Sequence, residues 1–147
     1  MPFFPLTMYM LRRDLSRWCL AAVAAAALAG CATTAAVPPQ ETVHQLASQR
    51  WQALLTKDYK RAYDMTAPAY RKLNTAEVFA LRKSSVPVRW LSAKVLRVEC
   101  ESEDRCTARV EIESRPTAPF APKMPLVGVI SETWVREGGQ WWAFEAL

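Results

Sequence analysis

The chain has 147 residues, 51% hydrophobic, 22% charged and 10% aromatic, with a formal net charge of +5. That length suits one compact domain, the hydrophobic share excludes a disordered chain, and four glycines exclude a collagen-like fibre. With a single His and four Cys, an all-protein zinc or haem site is not expected, and neither a cofactor nor a metal is predicted.

Arg12, Arg13 and Arg17 precede an apolar run from Leu20 to Ala29. A basic segment followed by about ten apolar residues is the pattern of a secretory signal, and it falls short of the roughly 20 residues that span a bilayer. Met10 lies just before the arginines and would give a more ordinary signal than a start at Met1. The run ends at Leu28-Ala29-Gly30-Cys31, which resembles the lipobox of bacterial lipoproteins. That resemblance implies cleavage of residues 1–30, with Cys31 acylated on its sulfur and its new amino group. The lipid bilayer would then be a partner through Cys31. Ala32 stands where an inner-membrane retention signal has Asp, which favours the outer membrane and a domain facing the periplasm. Residues 31–41, small, polar and proline-bearing, read as a lipidated tether, and residues 42–147 as a single α+β domain. Cys19 would leave with the signal.

Thr42-Val43-His44-Gln45 has the form of a capping box. Val43, Leu46, Ala47, Trp51, Leu54 and Leu55 recur behind it at helical spacing, predicting a helix to about Thr56. Asp58 caps a second helix through Tyr63 that ends before Pro68, and Asn74 caps a third that buries Val78, Phe79 and Leu81. After Pro87 the period falls to two. Strands are predicted from Trp90 to Cys100 and from Cys106 to Arg115. A proline-interrupted loop follows, then a hairpin of Leu126 to Arg136 and Trp141 to Ala146 about Gly138-Gly139.

The run Arg50-Trp51-x-Ala-Leu-Leu-x-x-Lys57-Asp58-Tyr59-x-x-Ala62-Tyr63, with Pro68 and Tyr70-Arg71 beyond it, resembles the opening of cystatin-like domains of the nuclear transport factor two-like superfamily. Gly138-Gly139-Gln140-Trp141-Trp142-x-Phe144 is similar to their closing hairpin. The resemblance implies N-terminal helices packed on a curved antiparallel sheet, cone-shaped, after a cleaved signal peptide. It also implies that relatives include ketosteroid isomerases and dehydratases, which place acidic, Tyr or His side chains in the cavity.

A hairpin turn over Glu101–Arg105 sets Cys100 opposite Cys106, and an exported chain meets an oxidising compartment, so a structural disulfide is expected. That register puts Trp90, Ser92, Lys94, Leu96 and Val98 on the side of Val110 and Ile112, with Lys94 the only charge there. A pocket bounded by Trp51, Tyr63, Trp90 and Lys94 would suit a small apolar or anionic ligand. No acidic side chain lies on that side, and the lone His44 reads as solvated, so no catalytic set is assembled.

The closing hairpin pairs Arg136 with Trp141 and Val135 with Trp142. The uncharged face, with Val135, Trp142 and Phe144, is expected to meet the helices. Trp134 and Trp141 would then stand on the outer face among charges, as a contact surface for a homodimer or an envelope protein. In the same register Glu132 faces Glu145, an unfavourable pair. Residues 41–97 carry eleven basic and four acidic side chains, residues 98–147 five and nine, so the helical half is basic. Export disfavours nucleic acid as a partner. The expectation is a non-catalytic binding or interaction module of the cell envelope, ahead of a ligand-pocket protein and of a dehydratase or isomerase.

Overall fold

The computed structural model describes residues 37–120 and 124–146. The expected signal, the expected lipobox and Cys31 lie outside the described residues. Among the described residues four helices come first: α1 (Pro39–Leu55), α2 (Tyr59–Asp64), α3 (Pro68–Leu73) and α4 (Ala76–Ser84). Four strands follow, β1 (Val88–Ser102), β2 (Arg105–Pro116), β3 (Leu126–Glu137) and β4 (Gln140–Ala143), in one antiparallel sheet of order β1-β2-β3-β4. The architecture is α+β.

α1 begins at Pro39, inside the segment read as tether. Proline in the first turn loses no helical hydrogen bond, so it starts the helix there and Thr42 has no capping role; its hydroxyl donates back to the Pro38 carbonyl instead. Val43, Ala47, Arg50, Trp51 and Leu54 form the buried face. The helix closes with Lys57 at φ 62°, while the Asp58 and Lys57 amides donate to the Ala53 and Leu54 carbonyls at 2.8 and 3.2 Å. This is the left-handed closing pattern that usually recruits glycine.

Asp58 caps α2 by accepting from the Arg61 amide at 3.1 Å. α3 is an extra turn started by Pro68, where the sequence suggested only a helix end. α4 is capped by Thr75 rather than Asn74, and it buries Phe79 while Val78 and Leu81 stay exposed. Of the nine residues of α4, Phe79 alone is buried.

α1 lies across β1 and β2. Its Val43, Ala47, Trp51 and Leu54 pack with Val95, Ala108, Val110, Ile112 and Trp134 of the sheet to form the core. The turn from β3 to β4 is Gly138-Gly139, with φ 60° and 78°, a conformation that suits glycine at both positions. Beyond β4 the chain segment Met65–Ala67 closes the sheet: the Ala143 amide donates to Met65 and its carbonyl accepts from Ala67, at 2.8 and 2.9 Å. Among the described residues no helix is long and apolar enough to cross a membrane.

Candidate functional site

The inner face of the sheet carries charge. Strand alternation places Glu132 beside Trp134 on β3 and, past β4, sends Glu145 the same way. From α1, Arg50 sits one turn from both Ala47 and Leu54 and so reaches the sheet with the apolar stripe. Its guanidinium pairs with Glu132 through one terminal nitrogen and with Glu145 through the other. Lys83 of α4 completes the set, its ammonium 2.9 and 3.0 Å from the two Glu145 oxygens. The second Glu132 oxygen accepts from the Trp134 indole N–H at 3.1 Å. Arg50 and Glu132 are buried, and Lys83 and Glu145 are partly exposed. Burial raises the Glu132 carboxyl above its ordinary range, opposed by the Arg50 charge and the Trp134 hydrogen bond and reinforced by Glu145.

Beside this network is a cavity of about 330 Å³ between α1 and the sheet. Its apolar wall is Trp51, Trp90, Ile112, Ile130 and Phe144, with Trp51 and Trp90 edge to face at 5.4 Å between ring centroids. Arg50, Lys83, Glu132 and Glu145 form the polar end. Two donors on residues of its wall, Arg50 Nε and the Trp51 indole N–H, are buried without a hydrogen-bond partner, and neither atom is open to the cavity. Among the described residues no group of three or more His, Cys, Asp and Glu could hold a metal ion.

Solved structures that share this fold include two SEC-C motif containing proteins. A solution structure of a SEC-C motif containing protein from Rhodopseudomonas palustris superposes with a TM-score of 0.53 at 20% identity, covering 68% of this chain and 73% of that one. A crystal structure of a SEC-C motif containing protein from Psychrobacter arcticus gives a TM-score of 0.56 at 13% identity, covering 76% of this chain and 63% of that one. At such identities the likeness is one of fold alone. No protein-family model and no curated protein matches the sequence.

Of the four residues expected around a pocket, Trp51 and Trp90 come together at the cavity wall. Tyr63 does not line it: its ring packs on Phe79 and its hydroxyl donates to the Asn74 carbonyl at 2.7 Å. Lys94 is on the opposite face, exposed and paired in register with Glu111. The cause is the register shift in β1 between Val95 and Arg97, one of three along the strand and the one that separates Lys94 from the Cys100–Cys106 pair. Each extra residue reverses the alternation. Val95 thereby becomes the buried partner of Val110, and Lys94 turns to solvent.

The expected contact surface is also corrected. Trp134 is fully buried against the helices, and Trp141 is half-buried on the same inner face. The hairpin register is the expected one, Arg136 with Trp141 and Val135 with Trp142, but the charged face meets the helices. Trp141 lines a separate, more open depression with Leu46, Met65 and Trp142. Cys100 and Cys106 are cross-strand partners joined by a disulfide. His44 is exposed. Sequence reasoning missed Arg50, Lys83, Glu132 and Glu145. The signal was there in the facing Glu132 and Glu145, since like charges on one face require a cation between them.

Proposed function

We propose that the chain is an exported, lipid-anchored protein whose cystatin-like domain is a non-catalytic binding module, with the cavity between α1 and the sheet as its ligand seat. The observation that carries this reading is a cavity of about 330 Å³ with a Trp51–Trp90 corner at one side and the charged set of Arg50, Lys83, Glu132 and Glu145 at its polar end. The ligand that answers this chemistry is compact and largely apolar, with a flat body for the Trp51–Trp90 corner and one carbonyl or carboxylate oxygen for the partly exposed Lys83 ammonium. Leu28 to Cys31 and the preceding basic and apolar segments support the anchoring and a domain on the periplasmic side of the envelope.

Benzoate and its neutral counterpart acetophenone are suitable probes, read by quenching of the Trp51 and Trp90 fluorescence. Saturable quenching that Trp51→Phe weakens tenfold or more supports the seat. Absence of saturation with both probes, together with no small molecule retained in native mass spectrometry, overturns it. For the anchor, incorporation of labelled palmitate that Cys31→Ser abolishes is the expected result.

An acid–base enzyme of the dehydratase or isomerase kind is the second reading, favoured by one observation: Glu132 is a buried carboxyl with a raised proton affinity at a cavity wall. The binding reading is preferred because both Glu132 oxygens are already engaged, one by Arg50 and the other by Trp134. Those two contacts tie the carboxylate into the ion network and hold its orientation.

A further inference from the structure

A second cavity, of about 350 Å³, opens at the corner where the turn after α1, the end of α4, the start of β1 and the chain after β2 meet. The Thr117 amide donates to the Pro87 carbonyl at 3.0 Å and closes that corner. Three cations line the cavity, Lys57, Lys83 and Arg89, with no Asp or Glu among its lining residues. Tyr59 and Thr117 add hydroxyl-bearing side chains, and Leu55 and Trp90 an apolar wall. Lys83 and Trp90 also line the ligand seat, so the two cavities are neighbours.

Positive charge at this corner is unmatched. Lys83 is engaged by Glu145, whereas among the described residues neither Lys57 nor Arg89 takes part in an ion pair. Arg89 lies opposite Arg115 in the β1–β2 register, and like charges in direct cross-strand positions are unfavourable. Lys57 supplies an independent sign. Its φ of 62° is left-handed, a conformation in which glycine would be relaxed. Its ammonium is not needed to close α1, because the Gln52, Ala53 and Leu54 carbonyls accept from the Thr56, Asp58 and Lys57 amides at 3.0, 2.8 and 3.2 Å. A long cationic side chain at a strained backbone position that it does not stabilise points to a use outside the fold.

We propose that this corner binds a phosphate monoester, with Lys57 and Arg89 holding the phosphate and the Leu55–Trp90 wall covering its organic part. A monoester carries nearly two negative charges at neutral pH and so matches two unpaired cations. The Arg89 guanidinium offers a planar fork for two phosphate oxygens, and Lys57 a point charge for the third. A sulfate ester or a single carboxylate carries one charge and leaves one cation unmatched. The site is separate from the ligand seat and does not depend on that reading.

The test titrates the full chain in detergent with phenyl phosphate, read by calorimetry at neutral pH. One saturable site is expected, with phenyl sulfate bound at least tenfold more weakly. Arg89→Gln should weaken phenyl phosphate tenfold or more. Lys57→Gly should do the same with an unchanged or higher thermal midpoint, since glycine relaxes the turn, so that its loss of binding does not reflect lost folding. Displacement by phosphatidic acid in the micelles identifies a lipid headgroup as the source of the phosphate, and displacement by glycerol phosphate alone a soluble ester; both support the site. No saturable binding, equal affinity for phenyl sulfate, displacement by neither competitor, or binding that Lys57→Gly and Arg89→Gln leave intact and that therefore belongs to the seat, would each overturn the proposal.

Discussion

Arg50 and Glu132, 82 residues apart in the chain, form an ion pair buried to 2% and 8% exposure between α1 and β3. Taking two charges out of water costs several kcal/mol each, and their attraction offsets this only with good geometry and further hydrogen bonds. Here the hydrogen bonds are made at every polar atom of the pair except Arg50 Nε. The planar guanidinium presents two terminal nitrogens to two carboxylates, and Trp134 satisfies the remaining Glu132 oxygen. The pair therefore fixes which face of the closing hairpin turns inward.

Glu132 makes stability depend on pH. Its carboxyl binds protons more tightly in the folded chain than at the ordinary value of 4.5, chiefly because burial penalises the charged form. The folded state thus holds more protons than the unfolded one above that value, and stability falls as pH rises toward the raised folded value. Glu132→Gln lacks this titration. Urea unfolding from pH 4 to 8 should show the wild type losing ground to the variant as pH rises. The slope should not exceed about 1.4 kcal/mol per pH unit and should flatten once the pH passes the raised folded value. A difference that grows in the wild type's favour with pH would contradict the assignment.

Trp134→Ala should be among the most damaging single substitutions, by about 3–5 kcal/mol, because a fully buried indole is lost and Glu132 loses its donor. Trp141→Ala, at a half-buried position, should cost distinctly less. Thermal unfolding of the two variants separates core from surface. Equal and small effects would mean that Trp134 stands on the outside after all.

Period and punctuation in the sequence carry most of the secondary structure: the α1 stripe, the Asp58 cap, the Cys100–Cys106 hairpin and the Gly138-Gly139 turn all follow from local rules. The faces of the strands do not. A β-bulge leaves no mark in alternating apolar residues, so Lys94 lands on the wrong side after the irregularity between Val95 and Arg97. In the closing hairpin, polarity misleads because Glu132 and Glu145 are inside. Only Arg50, on a helix some 80 residues earlier, makes that tolerable. α3 was hidden because Pro68 both ends one helix and starts another. The site was half legible: Trp51 and Trp90 supply its wall, whereas its charges depend on a long-range pairing.

The Cys100–Cys106 bridge closes a loop of sequence separation 6, a short one. Chain-entropy reasoning assigns such a closure about 2 kcal/mol. Reductant, or Cys100→Ser with Cys106→Ser, should lower the midpoint of thermal unfolding by roughly 10 °C, given 4–8 °C per kcal/mol for a domain of this size. Cys106 is fully buried, so reduction should be slow in the folded chain and accelerate with denaturant. An unchanged midpoint would mean that the bridge contributes nothing to stability.

Arg50→Leu tests whether the ion network is a coupled unit. Removing the guanidinium leaves Glu132 buried beside Glu145 with no cation of its own, since Lys83 engages Glu145. A loss of about 3–5 kcal/mol is expected at neutral pH, as for other broken buried pairs. The loss should shrink in acid, where protonation relieves the stranded carboxyls. Adding Glu132→Leu to Arg50→Leu replaces the pair by apolar groups of similar reach beside Trp51, Ile112 and Ile130. The double variant should be more stable than Arg50→Leu alone, giving a coupling energy of order 1–3 kcal/mol in the double-mutant cycle. Denaturant titration of the four chains measures it. Strictly additive losses would show that Arg50 and Glu132 act separately and that packing alone decides which face of the hairpin is buried.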